Sequence, residues 1–408
     1  MSKVGGALPS WYWPAGVPRR VPVAHQPLDR ILRQRFAKDG SAPALASGST
    51  TVSYAELLAQ ANEIAGGIQA SAPAGAIAIG ESNPLEGARL LLGALFAGRP
   101  VFLVNHAAPD LLKAQLAEAK VAAIVTAGFA SDALCNSGVA TLRRDELKGA
   151  FKEGPSRRAT EPAVLLPSGR SVVVHSHFSL SAMAAALAAF IVKLREVPFV
   201  CMEAGIGSWE TVAAMVLALM YGMPVVFTSV EELKANRHSP ILTKGYLILS
   251  RHDADAMIRD GYVPRAIAEM PYIFVSTGYF TPRWRRKFER LCRRPIFPLW
   301  GLPELGPVVA PHPTWMPIHG HGLPLVNVSL IPIDPGTGKV SIVPWEMLEQ
   351  AEVGVETLSA MVGYAEPKRN AEVRIGTVLR TRQIATMDHV GVVILYEQRD
   401  GQAAATAS

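Results

Sequence analysis

The sequence predicts an α/β protein whose mostly parallel, helix-covered sheets are followed by a smaller β-rich part. Between residues 28 and 293, short apolar runs alternate with longer segments of helical periodicity, which is typical of parallel strands joined by helices. From His319 onward, the apolar runs are short and are separated by turns such as Asp334-Pro335-Gly336. This second pattern is typical of antiparallel strands in a small barrel or a distorted sandwich.

The composition indicates a globular protein with a large core. Of the 408 residues, 49% are apolar and 18% are charged, which excludes a disordered chain and allows two or three domains. The N-terminus lacks the continuous apolar run of a signal peptide, and no run reaches the ~18 to 20 apolar residues that a membrane span needs. Cys135, Cys201 and Cys292 lie far apart without metal-ligand spacing. We therefore expect a cytoplasmic protein with reduced thiols and no membrane span.

Basic residues are scattered except in the segment Arg283 to Arg294, RWRRKFERLCRR. Interleaved aromatic residues in such a segment could indicate nucleic-acid binding. Helical spacing, however, places Trp284, Phe288 and Leu291 on one face, which predicts an amphipathic helix with a solvated basic face. We expect no nucleic-acid partner, although the basic face suits an anionic ligand or partner.

The individual elements follow from the apolar periodicity and from turn and cap residues. We predict helices over Leu28–Phe36, Tyr54–Gln69 with Ser53 as N-cap, Asn83–Ala97, Leu111–Ala117, from near Ser179 onward, Trp209–Tyr221, Ala254–Arg259 and Arg283–Arg293. We predict strands over Pro43–Ala46, Thr51–Val52, Ala76–Ile79, Val101–Val104, Ala122–Val125, Ala163–Leu166, Val172–Val174, Phe199–Met202, Val225–Thr228, Tyr272–Ser276, Val326–Pro332, Val340–Val343 and Val392–Tyr396.

The stretch Glu161 to Leu180 has the pattern of strand, small-residue turn, strand and helix. Such an arrangement often places a phosphate or a carboxylate against backbone N–H groups. The turn Pro167-Ser168-Gly169 holds the only glycine of the stretch, and the stretch contains no lysine. It is therefore unusually poor in the residues that bind phosphate.

The histidines and serines do not form a recognisable metal site or hydrolase site. His175 and His177 are two residues apart, so their side chains share a face of a strand, and histidines hydrogen-bonded within the fold are favoured over a zinc site. His312, His319 and His321 lie in Pro- and Gly-rich sequence, which favours a solvated loop over a metal site. Ser168 is not in a Gly-x-Ser-x-Gly elbow, which disfavours a serine hydrolase.

Six segments, taken in order, resemble the adenylate-forming superfamily of acyl-CoA synthetases, aryl-acid ligases, luciferases and peptide-synthetase adenylation domains. The most specific match is the segment Trp300 to Pro307, WGLPELGP, which is similar to the family motif Tyr-Gly-x-Thr-Glu-x-Gly-Pro. The other matching segments are Tyr54-Ala55-Glu56-Leu57, Pro162 to His177, Ser276-Thr277-Gly278, Gly322-Leu323-Pro324-Leu325, and Met361 to Tyr364 followed by Leu379-Arg380-Thr381.

The resemblance implies the large N-terminal body of such an enzyme, with two α/β subdomains and a β-rich, barrel-like subdomain. The implied ranges are an arm over 1–26, α/β subdomains over 27–165 and 166–318, a β-rich subdomain over 319–400 and a disordered tail over 401–408. The resemblance assigns Glu304 to Mg²⁺ and to catalysis. It assigns nucleotide binding, for ATP or AMP, to Ser168, Gly169, Ser276, Thr277, Gly278, Trp300, Gly301 and Gln383. It assigns the substrate pocket to Glu203, Trp209 and Leu302.

Plain alternatives stay open for several of these residues. Glu304 could be a solvated loop glutamate, and Glu203 an exposed loop carboxylate. Trp300 could stack on a ring or belong to the core, and Ser276 and Thr277 could simply cap a strand end.

The sequence also departs from the family pattern at positions that handle ATP. The phosphate loop is four residues shorter, at Ser168 to Val172, and it lacks the family's lysine and glycines. Gln383 replaces the aspartate that holds the ribose, and Pro303 replaces the threonine of the motif. The family's hinge segment is reduced to Glu397-Gln398-Arg399-Asp400, and we expect the mobile C-terminal domain, with its lysine, to be absent.

Two functions are consistent with these features. In the first, an atypical ligase activates a carboxylic acid as its acyl-adenylate, or receives a pre-activated acyl group, in a biosynthetic step. Its partners would be a small carboxylate or acyl ligand and an acyl carrier protein, CoA or another enzyme as acceptor. In the second, a pseudo-enzyme retains the cleft as an acyl- or adenylate-binding site and serves or regulates a partner enzyme.

Overall fold

The computed structural model describes residues 13–104, 109–128, 132–154, 157–190, 198–202, 206–235, 245–314, 317 and 319–396. Its helices are α1 (Leu28–Asp39), α2 (Tyr54–Ser71), α3 (Pro84–Ala97), α4 (Pro109–Glu118), α5 (Asp132–Cys135), α6 (His177–Phe190), α7 (Trp209–Tyr221), α8 (Val230–Lys234), α9 (Arg251–Asp260), α10 (Arg265–Glu269), α11 (Pro282–Cys292) and α12 (Asn370–Val373). Its strands are β1 (Pro43–Ser47), β2 (Thr50–Ser53), β3 (Ala76–Ile79), β4 (Val101–Leu103), β5 (Val121–Thr126), β6 (Thr141–Arg143), β7 (Pro162–Ser168), β8 (Ser171–Ser176), β9 (Phe199–Met202), β10 (Val225–Thr228), β11 (Tyr246–Ser250), β12 (Tyr272–Ser276), β13 (Phe297–Leu302), β14 (Gly306–Ala310), β15 (Leu323–Pro324), β16 (Val328–Ile333), β17 (Ala351–Thr357), β18 (Gly363–Tyr364), β19 (Arg374–Ile375), β20 (Val378–Met387) and β21 (Val393–Leu395).

Within the described residues, the strands form two large sheets and one smaller sheet. The first has the order β15-β14-β13-β12-β11-β9-β10-β1-β2, and its strands from β13 to β1 are parallel. The second has the order β18-β8-β7-β4-β3-β5-β6, and its strands from β7 to β6 are parallel. The third is wholly antiparallel, in the order β16-β17-β20-β19, with β21 also paired to β20. The predicted α/β fold class, with a smaller β-rich part, is confirmed.

The largest apolar cluster joins the two large sheets. It contains buried residues of β1, β3, β4, β7, β9 and β10 together with helices α1, α2, α3, α6 and α7. Helices α6 and α7 are apolar on nearly every face because they lie inside the protein, and most of their residues are buried. These buried helices bring the strand ends of both sheets into one structural unit.

Local capping explains several helix boundaries that the sequence predicts. Ser53 starts α2 with a capping box, in which its hydroxyl accepts from Glu56 N while the Glu56 carboxylate accepts from Ser53 N. Asn83, Ser208 and Thr281 cap α3, α7 and α11 in the same way, by accepting hydrogen bonds from backbone N–H groups of the first turn.

The structure corrects the strand predicted over Val340–Val343. Val340 makes one isolated bridge to Ile333, and a short 3₁₀-helix over Trp345–Met347 follows. Trp345 explains this geometry, because its indole is buried and donates from Nε1 to the carbonyl of Leu330 at 3.1 Å. Among the described residues, the strands that the sequence did not predict are β6, β11, β13, β14, β15, β17, β18, β19 and β20.

Both large sheets draw strands from either side of the predicted boundary between residues 165 and 166. The hairpin β1–β2 joins the sheet of β9 to β15, and β8 and β18 join the sheet of β3 to β7. The subdomain ranges therefore remain a prediction. Residues 1–12 of the predicted arm, Glu203, the segment 397–400 and the tail 401–408 lie outside the described residues. In the described part of the chain, no helix is both long and apolar enough to cross a membrane.

Candidate functional site

Glu304 and the hairpin β7–β8 form one polar cluster. The hairpin is closed by Gly169 and Arg170, with Ser168 paired to Ser171 and Gly169 at φ +53°, a region that residues with a Cβ atom rarely adopt. At the end of β7, the Ser168 hydroxyl donates to Glu304 Oε1 at 2.6 Å. The shortened loop and the WGLPELGP segment, which each resemble a family motif, are thus in direct contact.

Glu304 is buried, with 8% of its surface exposed, and its two oxygens differ. Oε1 accepts a second hydrogen bond from the Tyr364 hydroxyl at 2.9 Å. Oε2 is buried and has no hydrogen-bond partner among the described residues. Burial raises the pKa of Tyr364, and the adjacent Glu304 carboxylate raises it further. Tyr364 is therefore a protonated donor, and Oε2 is the oxygen of Glu304 that has no hydrogen-bond donor among the described residues.

His175 fixes the backbone that carries Glu304. Its Nε2 donates to the carbonyl of Pro303 at 2.6 Å, and its Nδ1 lies 3.2 Å from Ser179 Oγ. The ring is completely buried, which lowers the pKa of His175 to about 4. A neutral histidine that bonds within the fold was the interpretation favoured from the sequence, and the geometry agrees with it.

The hairpin tip is held by protein groups on both sides. Gln115 Nε2 donates to the carbonyl of Gly169 at 2.8 Å, and the Arg369 guanidinium donates to the Ser171 hydroxyl. Glu118 Oε1 accepts from Val172 N at 3.1 Å. These bonds fix the turn and leave it little freedom to rearrange around a ligand.

A second carboxylate, Glu210, lies at the amino end of α7. It accepts from the hydroxyl of Ser276, the last residue of β12, at 2.5 Å. Glu210 is partly buried, and this loss of solvation raises its pKa despite the opposing effect of the Ser276 hydrogen bond. Its carboxyl group also interacts with its own N–H and with the Ser208 hydroxyl.

Trp209 connects the two carboxylate clusters. It is buried next to Glu210 and lies against Gly301, three residues before Glu304. A Cβ atom at Gly301 would lie 2.6 Å from Trp209 Cη2 and would also clash with the Gly306 backbone. Gly301 is therefore required by this close approach, and Leu302 is half-buried beside the Trp300 cluster.

The segment after β12 is held from two directions. Arg251 Nη1 donates to Thr277 Oγ1 at 3.1 Å and to the Tyr279 carbonyl at 3.2 Å. His321 Nε2 donates to the Gly278 carbonyl at 2.9 Å. Burial lowers the pKa of His321 to about 4, so this ring is neutral and structural, contrary to the predicted solvated loop.

Two of the predicted nucleotide-binding side chains are used within the fold. Trp300 is 2% exposed in the core of the β-rich part, with Leu305 and Val309 among its neighbours, which favours its core interpretation over ring stacking. Gln383 is buried, and its Nε2 donates to the carbonyls of Ile384 and Tyr396 at 3.0 and 2.7 Å. Among the described contacts, Gln383 does not touch the Glu304 or Glu210 clusters.

The structure thus unites some predicted residues and adds others. Ser168, Gly169 and Glu304 belong to one cluster, and Trp209 and Gly301 lie between it and Ser276. Sequence reasoning missed Glu210, Tyr364 and Gln115. A usable signal existed for Glu210, because it is the single acidic residue of the otherwise apolar helix WETVAAMVLALMY.

The residues present fit a divalent cation better than a triphosphate. A buried carboxylate oxygen without a partner, as in Glu304, suits one ligand position of Mg²⁺, which takes only one or two protein carboxylates. The hairpin tip does not fit a phosphate cradle, because its polar groups bond to Gln115, Arg369 and Glu304 and it holds a single glycine. Across the described residues, there is no group of three or more His, Cys, Asp or Glu side chains that could hold a metal without other ligands.

Solved structures with this fold bind acyl and nucleotide ligands. An o-succinylbenzoate CoA synthetase from Bacillus subtilis, bound to its product analogue OSB-NCoA, matches with a TM-score of 0.77 and 19% identity over 92% of this chain and 79% of that chain. The same enzyme with ATP and magnesium matches with a TM-score of 0.75 and 20% identity, over 92% of this chain and 80% of that chain. The N-terminal subdomain of Klebsiella oxytoca NpsA, in complex with 3-hydroxyanthranilyl-AMSN, matches with a TM-score of 0.76 and 17% identity, over 94% of this chain and 100% of that chain.

No protein-family profile matches the sequence, and no curated protein matches it either. At these levels of identity, the structural likeness shows the fold alone. The chain therefore has the fold of the o-succinylbenzoate CoA synthetase and of the NpsA N-terminal subdomain, which is the fold that the sequence resemblance predicts.

Proposed function

We propose that this chain binds a carboxylic acid, or its activated acyl form, in the region that Glu304, Trp209 and Glu210 line, as part of a biosynthetic acyl-activation or acyl-transfer step. The single observation that carries the proposal is the 2.6 Å hydrogen bond from Ser168 to Glu304, with Oε2 of Glu304 buried and unpartnered. A carboxylate that accepts two hydroxyl hydrogen bonds on one oxygen, and has no partner on the other, is suited to bind a ligand or its cation.

The side chains of this region suit a small ligand with both apolar and polar parts. Trp209 offers a large buried aromatic surface, and the Glu210–Ser276 pair beside it offers a carboxyl group and a hydroxyl. These groups lie at the carboxyl end of β12 in a parallel sheet, where ligands of open α/β sheets bind. The similar structures hold aryl and acyl ligands, namely OSB-NCoA and 3-hydroxyanthranilyl-AMSN.

If Mg²⁺ binds, Glu304 would hold it, and the ion would stabilise negative charge on the ligand. The chain's own residues have defined tasks whether or not the ion is present. Ser168 and Tyr364 orient the carboxylate by donating to Oε1, and His175 fixes the loop through the Pro303 carbonyl. The buried surroundings keep water from competing for Oε2.

A second candidate function is favoured by the state of the hairpin tip. Because Gln115, Arg369 and Glu304 already use its polar groups, the tip offers little to a triphosphate, and no lysine stands between Glu161 and Leu180. We therefore keep as the alternative a catalytically silent protein that binds an acyl or adenylate ligand and acts on a partner enzyme. Both candidates require the acyl ligand, and they differ in ATP turnover.

Titration calorimetry with three probes tests the proposal: AMP, ATP with Mg²⁺, and 3-hydroxyanthranilyl-AMSN, the ligand of the NpsA structure. Binding of all three, with carboxylate-dependent pyrophosphate exchange that Glu304→Gln abolishes, supports the ligase. Binding of the adenylate analogue without ATP binding or exchange supports the silent binding protein. Failure of all three probes to bind contradicts both candidates. Glu346→Gln, at an exposed glutamate of the β-rich part, is the control for the loss of one carboxylate.

A further inference from the structure

The segment 283–294 concentrates the charge of the whole chain. It holds six arginines, one lysine and one glutamate, so its net charge of +6 equals the net charge of all 408 residues. Elsewhere, acidic and basic residues balance. We call the exposed cations Arg283, Arg286, Lys287, Arg290, Arg293 and Arg294 the basic stripe.

The basic stripe lies on one face of α11 and its C-terminal extension. Its members are spaced by three or four residues, which places them on a single face about 16 Å long. The opposite face is anchored, because Phe288 and Cys292 are completely buried and Trp284 packs against the same cluster. The stripe borders a surface groove of about 460 Å³, which Arg286, Arg290, Arg293 and Arg294 line together with Glu289 and Pro295.

The protein itself does not neutralise this charge. Within the described residues, the side chains of Arg283, Arg286, Lys287, Arg290 and Arg293 have no hydrogen-bond or ion-pair partner, and the Arg294 side chain donates only to the Ala268 carbonyl. The nearby carboxylates are already used. Asp253 pairs with Ser250, Asp255 with Arg251 and Trp284, Asp260 with Lys234, Glu269 with Arg265, and Glu289 with Arg285.

Helix stability does not explain the stripe either. Cations near a helix C-terminus interact favourably with the macrodipole, which can account for Arg290. Arg283 and its neighbours in the first turn oppose that dipole and repel one another at spacings of three and four residues. Neither pairing within the protein nor helix stability therefore accounts for the basic stripe.

The stripe is remote from the candidate site. β12 and β13 are parallel, so α11 begins near the carboxyl end of β12 and returns to the amino end of β13. The groove at the C-terminal end of α11 therefore lies at the opposite edge of the sheet from Ser276. A ligand bound at Glu304 or Glu210 could not neutralise these arginines.

We propose that the basic stripe docks an acidic helix of a partner protein. Carboxylates at spacings of three and four residues on such a helix would match the guanidinium rows, and Arg pairs with carboxylates in a bidentate manner. Single-stranded nucleic acid is disfavoured because Trp284 and Phe288, the aromatic residues of α11, pack inward and cannot stack on bases. A membrane is disfavoured because the exposed residues of α11 are all charged apart from Pro282, so the helix offers no large apolar side chain to insert. This proposal does not depend on the proposed function.

The test uses the full chain and four probes at roughly 0.15 M salt. Two are helical peptides of equal composition, one with glutamates at i, i+3, i+4, i+7 and i+11 and one with glutamates on all faces. The others are a short DNA duplex and phosphatidylserine vesicles. We expect the patterned peptide to bind at least about tenfold more tightly than the second peptide and than either other probe.

Charge reversal shows whether the basic stripe is responsible for binding the patterned peptide. The variant R286E/R290E/R293E should lose binding of the patterned peptide, whereas R20E/R30E/K113E, which changes the charge equally at exposed positions, should keep it. Thermal unfolding of both variants checks that they fold. Equal binding of the two peptides, tighter binding of DNA or vesicles, or equal loss in the two variants would each overturn the proposal.

Discussion

The Glu304 and Glu210 clusters are built alike, but the hydrogen bonds of their carboxylates differ. In each, a serine at the end of a strand donates to a carboxylate, at 2.6 Å from Ser168 and at 2.5 Å from Ser276. In each, a buried histidine, His175 or His321, donates from Nε2 to a backbone carbonyl of the adjoining segment. Glu304 keeps one buried oxygen without a partner, whereas Glu210 also interacts with Ser208 and its own N–H.

This difference distinguishes the two clusters as candidate ligand sites. A buried acceptor without a partner in a folded protein calls for an explanation, which can be a ligand or an ordered water. Several buried side chains of the described residues have such an atom, and Glu304 is the one that lies in a segment resembling a family motif. We therefore propose that the ligand or its cation binds at Glu304 and that Glu210 supports the adjacent region.

The largest expected effect comes from removing the Glu304 carboxylate. Glu304→Ala leaves the Ser168 and Tyr364 hydroxyls buried without their acceptor, which should lower the free energy of unfolding by about 2 to 5 kcal/mol. Ligand binding should be lost with it. Urea unfolding and titration calorimetry measure the two effects.

Glu210→Ala is the matched comparison for that variant. The Ser276 hydroxyl loses its acceptor there, whereas the Ser208 hydroxyl keeps Thr211 as a partner, and a carboxyl group with a raised pKa is removed, so we expect a loss of about 1 kcal/mol. An equal loss in the two variants would contradict the distinction between the clusters.

Acidification should destabilise both clusters through their histidines. In the folded state the pKa of His175 and of His321 is about 4, below the ~6.5 of an unfolded chain, so the unfolded state binds more protons between these values. Stability should be complete above about pH 6.5 and decline as the pH falls towards 4, by roughly 3 kcal/mol for each histidine.

Urea unfolding of His175→Gln at several pH values measures this linkage. Its stability should change less steeply with pH than that of the wild type, by about one proton between pH 4 and 6.5. The exposed His252→Gln is the control and should follow the wild type. An unchanged slope in His175→Gln would show that the ring does not contribute.

The contact that joins the two clusters can be tested at Gly301. In Gly301→Ala the new methyl group meets the Trp209 ring at 2.6 Å and the Gly306 backbone, so overpacking should lower stability by about 1 to 3 kcal/mol and displace Trp209. Urea unfolding measures the first effect, and the change in tryptophan fluorescence that is lost in a Trp209→Phe background measures the second, because the chain has seven tryptophans. Gly278→Ala, where a Cβ atom would meet no neighbour, is the control, and equal losses would contradict the Trp209 contact.

The helices and the strands that are continuous apolar runs were predictable from the sequence. The segments whose structure depends on pairing with distant residues were less so. Strands β9, β10 and β12 and helix α7 coincide with the predicted ranges, because parallel strands are apolar runs between clear turn signals. Val340–Val343 has the same local appearance, but it makes only an isolated bridge, from Val340 to Ile333, and the following residues form a 3₁₀-helix at Trp345–Met347. Whether an apolar run pairs as a strand depends on neighbours distant in sequence, which a local pattern does not record.

The candidate site was also only partly predictable from the sequence. The WGLPELGP motif identified Glu304, because a motif preserves residue order, but it could not show that Ser168 and Tyr364 converge on the same oxygen. These contacts span 136 and 60 residues. Gln383 and Trp300 matched the motif positions by order alone, and the structure shows that their side chains have partners or neighbours within the fold.

The smallest effects on stability should come from replacing the two serines. These variants compare the Glu304 and Glu210 clusters most directly. Ser168→Ala and Ser276→Ala each remove one hydrogen bond to a carboxylate that keeps other partners, so each should lower the free energy of unfolding by about 1 kcal/mol. Ligand affinity should separate them. Without Ser168, Glu304 is held only by Tyr364, so Mg²⁺-dependent binding should weaken by roughly tenfold, whereas Ser276→Ala should change the preference among acids instead. Calorimetry of both variants with one adenylate analogue, with and without Mg²⁺, distinguishes these outcomes, and an identical Mg²⁺ dependence in the two variants would place the cation elsewhere than at Glu304.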